Sequence, residues 1–165
     1  MPETRLILLA EDDDNDVLLV QSALREAGVL TPVHVVRDGD EAILYLTGVG
    51  KYANRAEYPL PSLLLLDLKM PCKNGFEVLQ WIRSEPNLRA LRVIVLTGST
   101  HLHDLNKAYQ FGANSFLVKP SDFKDLIDLF KPLHSYWLVT DQSPEIARPD
   151  GEIQQILWRK DTGSV

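Results

Sequence analysis

The sequence predicts an α/β fold built on a five-stranded parallel sheet with helices on both faces. Two observations carry the prediction. Five short, nearly continuous apolar runs alternate with five segments whose apolar residues recur at helical spacing. The apolar runs also lack the polar alternation of a sheet with one wet face, so they read as strands buried on both sides.

The elements follow in order. Residues 5–10, RLILLA, form the first strand, and Val17, Val20, Leu24 and Ala27 recur as a helix stopped at Gly28. Residues 32–37, PVHVVR, are the second strand; the turn signal Asp38-Gly39 follows, and Asp40 is expected to cap a helix through Ala42, Ile43 and Leu46. Residues 62–67, SLLLLD, give the third strand, with Phe76, Leu79, Ile82 and Arg83 on its helix. Residues 92–97, RVIVLT, give the fourth, followed by a helix carrying Leu102, Leu105, Ala108 and Tyr109. Residues 115–119, SFLVK, give the fifth, and Ser121 is expected to open a last helix through Phe123, Ile127 and Phe130, which Pro132 should end or kink. Strands that alternate with helices in this way pair in parallel.

Two segments break the rhythm. Residues 47–61, TGVGKYANRAEYPLP, form an unusually long connection. Residues 138–165 are polar, with Pro144, Pro149 and Gly151, and only EIQQILWR (152–159) has helical character. The expected organisation is one domain over 1–137, then a polar tail over 138–165 that could become ordered against a partner, with no separate output domain.

Composition narrows the function. The 165 residues suffice for one sizeable core. A net charge of -6 argues against a nucleic-acid-binding surface, which needs clustered Lys and Arg. The lone Cys72 has no partner for an internal disulfide, which makes a reducing cytoplasm the expected compartment. No apolar run is long enough to span a membrane, and the N-terminus has no signal-peptide pattern.

The chemistry gathers at strand ends. Ligands of open parallel sheets bind outside the carboxyl ends of the strands. Glu11 and Asp12 end the first strand, Asp67 the third, Thr97 the fourth and Lys119 the fifth, so all five should meet at one rim. Three carboxylates in one crevice require a counter-ion, and Mg2+ suits carboxylates that also face a phosphate. Asp67 is then the expected nucleophile, able to hold a phosphoryl group as an aspartyl phosphate. Lys119 would pair with a phosphoryl oxygen and Thr97 would offer its hydroxyl to another, while Gly98 leaves room for a donor.

The blocks ILLAEDD, LLLLDLKMPCKNG, VIVLTGS and FLVKP, in this order and spacing, resemble the signature of a response-regulator receiver domain over residues 5–131. The resemblance implies a flavodoxin-like fold with strand order 2-1-3-4-5. It implies phosphorylation of Asp67 by a sensor histidine kinase. It also implies a divalent cation, Mg2+ or Mn2+, held by Glu11 through water, Asp12, Asp67 and the backbone carbonyl of Lys69. Thr97 and Phe116 take the switch positions and Lys119 the lysine position. Lys69 and Ser99 fall where family members tune phosphate lifetime. A homodimer would use the face of the fourth helix, fifth strand and fifth helix. The long loop before the third strand and the Tyr136-Trp137-Leu138 ending are similar to stand-alone regulators that serve bacterial phytochromes.

The competing readings are weaker. Asp13, Asp14 and Asp16 read as helix-capping and first-turn acids rather than ligands. A calcium loop starting at Asp12 fails, because Val17 stands where Gly is required and Ala23 where the bidentate Glu is required. A metal-dependent aspartyl phosphatase normally carries a second Asp two residues after the nucleophile, where this chain has Lys69. A receiver-like scaffold without phosphorylation is disfavoured by the intact Glu11, Asp12, Asp67, Thr97 and Lys119 set. Phe116 is equally readable as strand packing. His101 and His103 point to different faces of their helix, His34 and His134 have no evident partner, and Trp81, Trp137 and Trp158 read as packing or interface residues. The expected role is a phosphoacceptor that assists its own phosphorylation and dephosphorylation, not an enzyme that turns over, acting through contacts with other proteins.

Overall fold

The computed structural model describes residues 5–133. The elements are β1 (Ile7–Ala10), α1 (Asp14–Glu26), β2 (Val33–Val36), α2 (Gly39–Thr47), a 3-10 turn (Gly50–Tyr52), β3 (Leu63–Leu66), α3 (Gly75–Ser84), β4 (Val93–Thr97), α4 (Leu102–Gln110), β5 (Ser115–Val118) and α5 (Phe123–Leu133). All strand pairs are parallel, in the order β2-β1-β3-β4-β5. The expected α/β architecture and strand order are therefore both present.

The sheet divides two cores. Leu8, Ala10, Leu64, Leu66, Val93, Val95 and Phe116 pack with Ala42, Tyr45, Val78, Leu79, Ile82 and Ala108, which are residues of α2, α3 and α4. Ile7, Leu9, Leu63, Leu65, Ile94, Leu96 and Leu117 pack with Val17, Val20, Leu24, Leu126, Leu129 and Phe130 of α1 and α5. Alternation along each strand sends successive residues to opposite cores, which is why Leu63 to Leu66 are all apolar and all buried.

Caps place the helix starts. Asp13 accepts from the amide of Asp16 at α1, and Asn74 with Glu77 forms a reciprocal capping box at α3. At α2 the cap is Asp38, not Asp40: its side chain accepts from the Glu41 amide at 2.7 Å, which draws Gly39 and Asp40 into the first turn. At α5 Asp122 takes the place expected of Ser121; its carboxylate accepts from Lys124 N–H and its carbonyl from Leu126 N–H. Pro132 lies inside α5, which is described as far as Leu133. The polar tail, Tyr136-Trp137-Leu138, His134, Trp158 and the 152–159 segment lie outside the described residues.

The long connection is built around rings. His34 of β2 lies among Tyr45, Tyr52 and Tyr58 with centroid distances of 4.9 to 5.7 Å. Arg55 donates to the carbonyls of Tyr45 and Leu46, both at 2.8 Å, so this loop satisfies the last carbonyls of α2. Burial pushes the His34 imidazole below its ordinary pKa. The sequence reading had no partner for His34 because its neighbours are 11 to 24 residues away in the chain.

Two positions between β3 and α3 use backbone freedom in opposite ways. Cys72 occupies the left-handed region at φ 65° without being glycine. Gly75 has ordinary φ, but a Cβ there would lie 2.4 Å from the carbonyl oxygen of Asp67 and 2.8 Å from Leu68 Cα. Cys72→Gly should therefore raise stability by about 0.5–1 kcal/mol through relief of the left-handed strain. Gly75→Ala should lower it by about 2–3 kcal/mol through the backbone clash. Denaturant midpoints of the two variants should move in opposite directions.

Candidate functional site

Three strands of the sheet, β1, β3 and β5, deliver a functional residue through a ladder bond made just past their ends. Glu11 N–H donates to Val36 O at 3.0 Å, Asp67 N–H to Ala10 O at 3.1 Å, and Lys119 N–H to Thr97 O at 2.7 Å. The backbone under the rim is thus fixed by the same hydrogen bonds that hold the sheet. One carboxylate oxygen each from Glu11, Asp12 and Asp67 lies within 4.8 Å of the other two. Glu11 and Asp67 are buried at 2% and 8% exposure, whereas Asp12 is exposed.

Lys119 is the cation in this group. Its Nζ lies 3.1 Å from Glu11 Oε2 and 3.2 Å from Asp16 Oδ2. Burial alone would lower its pKa, but Asp67, Glu11 and Asp16 together outweigh that and hold the ammonium above its ordinary value. Glu11 moves strongly in the other sense. Burial, then the adjoining Asp67 carboxylate, raises its pKa to about 8, against a smaller opposing pull from Lys119. One lysine does not neutralise three carboxylates. The set is made of hard oxygen donors, half-buried and short of positive charge, and it fits a small divalent cation.

Thr97, the last residue of β4, is buried at 1% exposure. Its hydroxyl oxygen accepts from the amide of Ser99 at 3.3 Å. The Lys69 side chain is exposed, two residues beyond Asp67. Phe116 is only 1% exposed and already lies within the core on the α2, α3 and α4 side.

The structure therefore brings Glu11, Asp12, Asp67 and Lys119 together, with Thr97 on the neighbouring strand end. Sequence reasoning missed two contributors. Asp16 was read only as a first-turn acid, yet it shares Lys119; the signal was its place in the first turn of α1, three residues after the Asp13 cap. Gly75 was legible only as part of a motif; its need is the 2.4 Å approach to the Asp67 carbonyl.

The fold and this constellation define a receiver domain: residues 7–131 match the response regulator receiver domain family, and the chain belongs to it. Among its relatives is the response regulator Rcp1 of Synechocystis, 37% identical over 85% of this chain and 93% of that protein. The crystal structure of the phosphorylated cyanobacterial phytochrome response regulator RcpA is 38% identical, with a TM-score of 0.76 over 85% of this chain and 98% of that one. The Mn2+-bound form of Rcp1 is 37% identical, with a TM-score of 0.75 over 85% and 99% of the two chains.

The carboxylate cluster sets a pH dependence for the metal-free protein. A Glu11 pKa raised above its value in the unfolded chain means that the folded state binds the extra proton between about pH 4.5 and 8. Stability should therefore fall as pH rises through that window. Glu11→Gln should flatten the fall, and Mg2+ should offset it in wild type. Thermal melts across pH with chelator and with Mg2+ test both; a fall of equal size in Glu11→Gln would refute the assignment to Glu11.

Proposed function

We propose that the protein is a phosphorylation-controlled signalling module whose Asp67 accepts a phosphoryl group from the phosphohistidine of a sensor kinase. The observation that carries this reading is the convergence of Asp67 with Glu11 and Asp12 to within 4.8 Å, beside Lys119 and Thr97. Asp67 presents the only carboxylate of the three that ends a strand in the middle of the sheet with the Thr97 strand end on one side and the Glu11 strand end on the other.

In the proposed reaction a carboxylate oxygen of Asp67 attacks phosphorus in line with the phosphorus–nitrogen bond, which breaks as the imidazole leaves with its electron pair. Glu11 through water, Asp12, Asp67 and the Lys69 carbonyl would hold Mg2+ or Mn2+. That cation, when bound, supplies charge neutralisation between the incoming phosphoryl oxygens and the carboxylates. Lys119 would turn from Glu11 and Asp16 to a phosphoryl oxygen, and the Thr97 hydroxyl would donate to another. The added charge of roughly -1.5 to -2 makes Asp67 a strong acceptor and draws Thr97 inward. A coupling of about 1–3 kcal/mol is enough to shift the population of the α4–β5–α5 face, with Phe116 of β5 part of the packing that responds.

The similarity to the phytochrome response regulator RcpA supports a photoreceptor kinase of that type as donor. Signalling would pass through protein contacts in a cytoplasmic setting, with a homodimer through the α4–β5–α5 face as one such contact. Among the described residues no helix is long and apolar enough to cross a membrane.

Intact-mass spectrometry after incubation with a small acyl-phosphate donor tests the proposal. A single phosphoryl adduct should form on wild type with Mg2+, and none with chelator or on Asp67→Ala. Lys119→Ala should slow its formation by at least about tenfold, the scale of one lost charge-assisted contact. Folded wild type that takes no adduct would overturn the reading, and sustained donor hydrolysis would replace it with a phosphatase.

A further inference from the structure

Helix α4 is held unequally at its two ends. Only Ala108 of its nine residues is buried, and Leu102 in the first turn is 70% exposed. The C-terminal end is anchored in several ways. Lys107 Nζ stands 4.4 Å from the Phe76 ring centroid and 5.8 Å from that of Phe111. Just beyond, Arg83 of α3 donates to Gly112 O at 2.9 Å and to Asn114 Oδ1 at 3.0 Å, while Asn114 Oδ1 also accepts from Val93 N–H at 2.7 Å.

The N-terminal end has a different kind of attachment. The cap residue His101 makes no side-chain capping bond. Instead Ser99, buried at 5% exposure, serves as a junction. Its Oγ donates to Asp104 Oδ2 at 2.6 Å and accepts from His101 N–H at 3.3 Å, and its own amide donates to Thr97 Oγ1 at 3.3 Å. A continuous path of hydrogen bonds therefore runs from the Thr97 hydroxyl through Ser99 to the first turn of α4. Gly98 lies inside that path with no atom within 4 Å of a built Cβ and no positive φ. Neither crowding nor a left-handed turn requires glycine there; the open space agrees with room for a donor, and glycine also leaves the backbone free between Thr97 and Ser99.

We propose that Ser99 and Asp104 form a latch that positions the Thr97 side chain and the N-terminus of α4 together, with the Lys107–Phe76 and Arg83–Gly112 contacts as the pivot. Asp104 is a positioning residue: it touches neither Asp67 nor its ligands and acts through Ser99. The inference rests on the reading of Thr97 as the hydroxyl that answers a charge on Asp67. When Thr97 turns toward Asp67, its oxygen leaves the Ser99 amide, and that buried N–H must move to find another acceptor. The Ser99 hydroxyl carries Asp104 with it, so the first turn of α4 moves while the last turn stays.

The test compares Ser99→Ala, Asp104→Ala, the double variant and Asp104→Asn, whose side-chain oxygen still accepts from Ser99. In the unphosphorylated protein, amide exchange over residues 99–105 should rise about tenfold in Ser99→Ala and Asp104→Ala, with core amides unchanged. The Thr97 methyl resonance should shift in both, which a simple helix-end role of Asp104 would not produce. The double variant should be no faster than either single one, and Asp104→Asn should restore most of the protection. Additive effects, an unmoved Thr97 methyl or unchanged exchange would each overturn the latch. Where wild type takes the phosphoryl adduct, α4 exchange should respond in wild type and lose that response in Asp104→Ala; an equal response overturns the coupling. A wild type that takes no adduct refutes the phosphoacceptor reading instead, and the unphosphorylated comparison still decides the latch.

Discussion

The repulsion among Glu11, Asp12 and Asp67 is the constraint on which the site depends. Two unit charges about 4 Å apart at an effective dielectric near 20 repel by about 4 kcal/mol, and this rim holds three carboxyl groups with oxygens within 4.8 Å. Side chains free to move would separate. They stay together because Glu11 and Asp67 extend the ladder of β1 and β3, so their backbones are set by the sheet rather than by their own charges. Burial first, and this crowding by Asp67 second, raise the pKa of the Glu11 carboxyl to about 8, and a lysine is drawn onto Glu11 and Asp16. A site in this condition is short of positive charge and fits a divalent cation.

The scaffold is firm where the charges are crowded and looser where a signal would leave. The α1 and α5 side has a continuous apolar core, with Asp16 of α1 reaching Lys119 just after β5. The β2 edge is closed by His34 and its three tyrosines, and by Arg55 on the end of α2. Helix α4, by contrast, buries one residue and meets the Thr97 strand end through a single serine. Elements with few buried apolar contacts occupy the low-stability end of a domain, where conformational change is least expensive. The asymmetry between the two ends of α4 would give the proposed change a direction.

Much of this was legible in the chain. Apolar runs such as Leu63 to Leu66 read as doubly buried strands, and strand-end acids followed from the alternation of elements. The misreadings were local. Asp38 and Asp122, not Asp40 and Ser121, cap α2 and α5, because a cap is decided by which side chain reaches the free amides of the first turn. A sequence shows that several candidates lie near a helix start but not which of them has the extended backbone a cap needs.

The sequence by itself determined the layer architecture, the parallel sheet and the gathering of Glu11, Asp12, Asp67, Thr97 and Lys119 at one rim, since hydrophobic period and element order are one-dimensional properties. Only the tertiary structure decided that Lys119 rests on Glu11 and Asp16, that Phe116 lies inside the core, that His34 sits among tyrosines, and that Ser99 ties Thr97 to Asp104. Those outcomes depend on distances between side chains whose spacing along the chain ranges from 2 residues to 108. Periodicity carries no record of such distances; the packing of one element against another sets them.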